Sequence, residues 1–279
     1  MGNSEHSSSK PAYQGNPFYG YDSPSVQKGY EVRTAARAAS FFLPYLKEGM
    51  SVLDCGCGPG TITSGLAAAV SPGKVIGIDL ETAMVERASQ LANTENLSNL
   101  SFEVADITDL HFEDNSFDAV YTCAVLEHLP DPVKALKEIH RVLKVGGKVG
   151  AISTDWSMPL ISPDDVAVSL FFELFERGFN LQGGSLNRGR HLAMMMRQAR
   201  FSIETYSPGY GVQAQGETAG LVMAEYIAWV QSLPLFTQAV DLGWISDSDL
   251  KNMTEGMKAW GNRPEAFIAQ AHCSAVAVK

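Results

Sequence analysis

Three aspartates and one histidine stand where chemistry would be placed. Asp54 closes an apolar run from Met50 to Leu53 and opens the turn Asp54-Cys55-Gly56-Cys57-Gly58-Pro59-Gly60-Thr61. Glycines at alternate positions admit backbone conformations closed to other residues and let a ligand approach the main chain. In the G-x-G-x-x-G loop of nicotinamide and flavin enzymes, helix N–H groups hold a pyrophosphate. Here the third glycine comes one residue early and an acid precedes the turn, which suits a ligand with a cationic group and no phosphate. Asp79 ends the next β-rich run, at the distance where an acid hydrogen-bonds ribose hydroxyls in nucleotide-binding α/β folds. Asp106 closes a third run. His128 follows a fourth and titrates near neutral pH, so it is a candidate base toward a hydroxyl, amine or thiol; the alternative is that it shapes the pocket.

The elements that must position these groups alternate. Strand-like runs at Met50–Asp54, Lys74–Leu80, Leu100–Asp106, Ser116–Cys123 and Lys148–Thr154 are separated by helical runs at Thr61–Val70, Thr82–Ala92 and from Pro132. Asp131 is an N-cap with proline at N1. Val133, Leu136, Ile139 and Leu143 share one helical face, Lys144 falls in the last turn, and Gly146-Gly147 ends the helix. Such alternation predicts right-handed βαβ units and a parallel sheet. Ahead of it, Val26 to Leu46 reads as a helix broken near Pro44, with Phe41, Phe42 and Tyr45 packed on the sheet.

Composition narrows the partners. The 279 residues carry a formal net charge of −10, which argues against a nucleic-acid or anionic-membrane surface. No apolar run approaches the roughly 20 residues of a membrane span, and the polar start contains no signal-peptide core. A cytoplasmic protein, monomer or homodimer, is expected. Of the 4 cysteines, Cys55 and Cys57 lie inside the glycine turn and no second ligand pair follows at zinc spacing. Neither a disulfide framework nor a metal is expected.

The D-x-G-x-G-x-G turn, the acids at 79 and 106, the segment Ala124-Val125-Leu126-Glu127-His128-Leu129 and the run Leu143-Lys144-Val145-Gly146-Gly147-Lys148-Val149 together resemble the class I S-adenosylmethionine-dependent methyltransferases, of the type found in ubiquinone and menaquinone biosynthesis. Val145 stands where that family usually has proline. The likeness is closest over residues 33 to 155. It implies a Rossmann-like α/β fold: a mostly parallel seven-stranded sheet, helices on both faces and an inserted helical lid. It implies S-adenosyl-L-methionine as cofactor, its methionine end held by Asp54, Gly56, Cys57, Gly58, Gly60 and Thr61. The ribose would fall to Asp79 beside Leu80, and the adenine to Met84, Ala105, Asp106 and Ile107. Cys123, Ala124 and His128 would flank the methyl group. Tyr19 and Tyr21 would close over the cofactor, and Arg33 would meet its carboxylate.

The expected organisation is a disordered tail (1–16), an N-terminal helical lid segment (17–48), a cofactor-binding core (49–155), and acceptor-binding helical insertions with the last strands (156–279). In that last part a helix opens at Ser162-Pro163-Asp164-Asp165 with Val166, Leu170, Phe171, Leu174 and Phe175 on its apolar face. Helices at Leu186–Arg200, Glu217–Leu233 and Asp247–Trp260 follow, with strands at Phe201–Tyr206 and Phe267–Val278. Asp155, Trp156 and His191 are weaker candidates for the acceptor site. The expected reaction is methyl transfer to a small, largely apolar acceptor. Its rivals are a cyclisation or isomerisation on the same fold, and a cofactor-binding regulatory protein.

Overall fold

The computed structural model describes residues 33–279. The candidates Tyr19 and Tyr21, and the tail at 1–16, lie outside the described residues. Among the described residues seven strands form one sheet: β1 (Val52–Cys55), β2 (Val75–Asp79), β3 (Leu100–Val104), β4 (Phe117–Cys123), β5 (Leu143–Ser162), β6 (Ser202–Gln215) and β7 (Phe267–Val278). Their order is β3-β2-β1-β4-β5-β7-β6. The first five run parallel, and β7 lies antiparallel to both β5 and β6. The sheet order reverses direction beside β1, and a ligand crevice is expected outside the carboxyl ends of the strands there.

Helices cover both faces. α1 (Ala35–Ala38), α2 (Thr61–Val70) and α3 (Thr82–Thr94) lie on one face, where Leu66, Ala67, Val70 and Ala92 join the core. The other face carries α4 (Pro132–Val142), and with it α6 (Arg188–Gln198) from the second half of the chain, each placing apolar residues at helical spacing on the sheet. Asp131 caps α4 by accepting the Lys134 N–H at 3.0 Å. Between them in sequence comes α5 (Val166–Leu181), followed past β6 by α7 (Glu217–Ser232), α8 (Pro234–Asp241) and α9 (Asp247–Gly261). These four helices enclose a separate, aromatic-rich core with the outer ends of β5 and β7. β5 carries the chain there through an irregularity between Asp155 and Leu160.

Several expectations need correction. Of the helix expected to Leu46, the described part is only α1 and a single 3₁₀ turn at Leu43–Tyr45. The chain breaks there because Phe42 is drawn fully into the sheet, 5.9 Å centroid to centroid from Tyr121 and over Gly150, where a Cβ would come within 2.4 Å of its ring. Lys144 is not in a helical turn. α4 stops at Val142, Leu143 already pairs with Phe117, and Lys144–Gly147 loops out before pairing resumes at Lys148. Val166 is 84% exposed, so the apolar face of α5 starts later.

Candidate active site

At the carboxyl ends of β1, β2 and β4 lies a cavity of about 320 Å³. The glycine turn forms its floor. Gly56, Gly58 and Gly60 all have positive φ, and the N–H groups of Gly56 and Cys57 both donate to the Ile78 carbonyl, at 2.8 and 2.9 Å. A side chain at 56 is impossible without movement, since its Cβ would fall 2.2 Å from Val125 Cγ2. At 58 a Cβ would meet nothing within 4 Å and would stand in open space at the cavity wall. Gly60 does not line the cavity. It caps α2 in a left-handed conformation and packs toward Phe102 and Ala88.

Asp54 is 2% exposed and accepts the Thr63 hydroxyl at 2.7 Å. Burial pushes its carboxyl up to about 7; the Thr63 bond opposes the rise and the nearby Asp79 adds to it. Asp79 accepts the Gly58 N–H on Oδ2 at 2.9 Å and the Glu81 N–H on Oδ1 at 3.0 Å. These bonds restrain a carboxyl that burial raises. Asp106 accepts the Thr108 N–H at 2.7 Å. Met84 and Ile107 are buried apolar walls on the same side, with Leu80 and Ala105 beside them.

The opposite wall follows β4. Ala124 holds φ +54, a strained setting for a residue with a Cβ, and its N–H donates to Ile152 at 2.9 Å. A 3₁₀ turn, Leu126–His128, then brings His128 to the cavity. Burial, with the Arg33 charge nearby, pulls His128 down to about 4, so its imidazole is neutral at physiological pH. Behind it, Glu127 is 1% exposed; its carboxylate accepts the Ser153 hydroxyl at 2.9 Å and the Thr154 N–H at 3.2 Å, and its carbonyl accepts the Ser185 N–H. Burial raises its pKa. Burial likewise raises the thiols of Cys57 and Cys123, the latter to about 11, so neither is a ready thiolate.

The cavity thus brings together Arg33, Asp54, Gly56, Cys57, Gly58, Thr61, Asp79, Leu80, Met84, Ala105, Asp106, Ile107, Cys123, Ala124 and His128. It also takes residues the sequence reading passed over, among them Pro59, Thr108, Val125, Pro130, Asp131 and Lys134. The helix cap at Asp131-Pro132 was legible; that its first turn borders the cavity was not. Asp155, Trp156 and His191 do not line it. Asp155 instead holds Arg190 in a two-pronged ion pair, at 2.5 and 2.8 Å. Among the described residues no His, Cys, Asp and Glu group could hold a metal, and no single helix is long and apolar enough to cross a membrane.

A family model described as a methyltransferase domain matches residues 53–150. An uncharacterized methyltransferase of Schizosaccharomyces pombe is 35% identical over 202 residues, covering 70% of this chain and 72% of that protein. The chain belongs to the S-adenosylmethionine-dependent methyltransferases. A demethylmenaquinone methyltransferase of Staphylococcus carnosus is 39% identical over 129 residues, covering 46% of this methyltransferase and 52% of its own length. This methyltransferase spans about half the length of several curated relatives it matches. Among solved structures, the cyclase SpnF aligns with a TM-score of 0.54 at 20% identity, over 91% of this methyltransferase and 80% of that chain; the likeness is one of fold.

The residues at the cavity fit the family's cofactor. At Gly58 the glycine turn leaves open space beside the cavity, three carboxylates (Asp54, Asp79 and Asp106) line it, and Met84 and Ile107 give it apolar walls. The volume falls within the range of ligand pockets, about 300–1,000 Å³.

Proposed function

We propose that this chain transfers a methyl group from S-adenosylmethionine to a small, largely apolar acceptor, a natural product or quinone-like compound. The observation that carries the reading is the cavity bounded by Asp54, Asp79 and Asp106 on one side and by Ala124 and His128 on the other. S-adenosylmethionine, when bound, supplies a methyl on a positively charged sulfur, open to in-line displacement. Gly58 and Asp54 receive its amino-acid end, Asp79 its ribose hydroxyls, and Asp106 with Met84 and Ile107 its base. Arg33, at the same cavity, receives the carboxylate.

The leaving group is already good, so the protein's main contribution is positioning, which can supply about 7–11 kcal/mol. His128, neutral at physiological pH, accepts a proton from an acceptor that must lose one. A proton acceptor contributes about 10²–10⁴-fold; a histidine held near 4 falls toward the low end, because its basicity is reduced. Relatives that act on demethylmenaquinone support the acceptor class.

The test supplies purified protein with methyl-labelled S-adenosylmethionine and a small-molecule extract of its host, then follows label by mass spectrometry. A labelled product identifies the acceptor by mass. Cofactor binding with no labelled product would turn the reading toward a non-methylating enzyme or a regulatory protein. No cofactor binding would sink it.

A further inference from the structure

We propose that Arg141 and Glu138 on α4 are positioning residues for the cofactor's base: they hold the loop between β3 and β4 so that Asp106 meets the base's amino group. The inference rests on the methyl-transfer reading, which puts the base beside Asp106, Met84 and Ile107. Neither Arg141 nor Glu138 lines the cavity, whereas Asp106, Ile107 and Thr108 of the loop do. The loop is a short hook fixed at both ends. At its start the Ala105 N–H donates to the Asp79 carbonyl at 3.1 Å. Within it, Asp106 accepts the Thr108 N–H on Oδ1 at 2.7 Å and the Asp109 N–H on its carbonyl at 3.0 Å. At its end Leu110 is held by both main-chain groups: its N–H donates to Glu138 Oε2 at 2.9 Å, and its carbonyl accepts from Arg141 Nη2 at 2.6 Å.

Arg141 spends all five of its side-chain N–H donors on this clasp. Nε and Nη2 donate to the two Glu138 oxygens at 3.0 and 2.8 Å, and Nη1 donates to the Phe112 carbonyl at 2.7 Å and to Asp114 at 2.9 Å. A planar guanidinium fits this set of acceptors; a lysine ammonium, with three donors on one nitrogen, cannot span it. Asp131, Lys134, Glu138 and Arg141 follow at steps of three and four residues, so they share one face of α4 and its cap. Asp131 and Lys134 border the cavity. One helix face therefore forms part of the cavity wall at its first turn and sets the loop that carries Asp106 at its last. A half-exposed ion pair by itself contributes little to stability; this one is bidentate, and its remaining donors all go to the loop.

Calorimetry on the full chain tests this with S-adenosylhomocysteine and its 6-deamino analogue, which has hydrogen in place of the base's amino group. The parent is expected to prefer the adenine compound by about tenfold or more. Arg141→Lys and Glu138→Gln are each expected to cut that preference to about threefold or less, by weakening the adenine compound. Both variants keep the main-chain bonds from the Asn115 and Ser116 N–H groups to the carbonyls of Arg141 and Val142, so β4 stays seated and the chain folds. Gly150→Ala, strained against Phe42 away from the cavity, is expected to keep the parent's preference, which separates positioning from a general loss of stability. A parent-like preference in both clasp variants, or the same loss in Gly150→Ala, would overturn the clasp's role and leave the cofactor reading standing. A parent that bound both compounds equally would overturn it by removing Asp106 from the base. A parent that bound neither would sink the methyl-transfer reading, and the inference with it.

Discussion

The Gly58 N–H donates to Asp79 Oδ2 across 2.9 Å, tying the turn after β1 to the acid that closes β2. Asp79 therefore has two tasks: it holds the glycine turn, and it offers its remaining lone pairs to the cavity. Asp79→Ala is expected to weaken S-adenosylmethionine binding by more than about tenfold. Unchanged affinity in calorimetry would refute the ribose assignment.

Gly58 and Gly56 differ in what a methyl group would meet. Gly58→Ala is expected to abolish cofactor binding with a melting temperature lowered only by backbone strain, about 1 kcal/mol. Gly56→Ala, driven into Val125, is expected to lose both stability and binding. Thermal melts with and without S-adenosylhomocysteine separate the two; equal behaviour would mean that the open space at 58 holds no ligand.

The buried Asp54 makes stability depend on pH in a direction opposite to the usual carboxylate. Its folded value of about 7 lies above the unfolded one, so between about pH 4 and 7 the folded state binds the extra proton and stability falls as pH rises. Asp54→Asn keeps an acceptor for Thr63 and removes the charge. It is expected to stabilise the protein at pH 8 more than at pH 5, while weakening cofactor binding. Denaturant titrations at the two pH values that gave equal gains would refute the burial argument.

His128 has the opposite bias. Its folded value near 4 is below the unfolded 6.5, so the unfolded state binds more protons across that window and stability is lost as pH falls through it. If His128 is the base, turnover keeps its acid limb near 4, with no inflection near 6.5, and His128→Ala lowers turnover with little change in cofactor affinity. Equal turnover in the variant would leave His128 the role of shaping the pocket.

Gly150→Ala probes the sheet's other side. Its Cβ would enter the Phe42 ring, and such overpacking costs about 1–3 kcal/mol. Cofactor affinity per folded molecule should be unchanged. A variant as stable as the parent in chemical denaturation would show that Phe42 can move.

The first half of the chain was legible because its signals agree: apolar runs end in acids, and glycines and caps punctuate the helices between. The second half was less so, for identifiable reasons. Pro208, Gly209 and Gly211 made β6 look as if it ended by Tyr206, yet it runs to Gln215. Proline and glycine are tolerated there because β6 is the outermost strand. α8 begins at Pro234, one residue after α7 breaks at Leu233, and a proline after an apolar helix reads as a stop rather than a new start. At the site, the acids and glycines could be named because their spacing is chemical. Trp156 and Asp155 could not be placed, because an aromatic or acidic residue after a strand has the same pattern whether it faces a cavity or a core.

β7 lies between β5 and β6, so the two are never neighbours: β6 bonds only to β7, and β5, paired with β4 on one edge, depends on β7 for the other. On the ribosome, where earlier segments order first, β1 to β5 can assemble as a parallel half-sheet, but β5 keeps an open edge and β6 has nothing to pair with until Phe267–Val278 emerges. Until then the aromatic residues of α5 and α7 lack the strand against which their core closes. The nascent chain is thus most in need of a chaperone after the cofactor half has formed, and a stalled or truncated product lacking β7 would keep that half while exposing the rest.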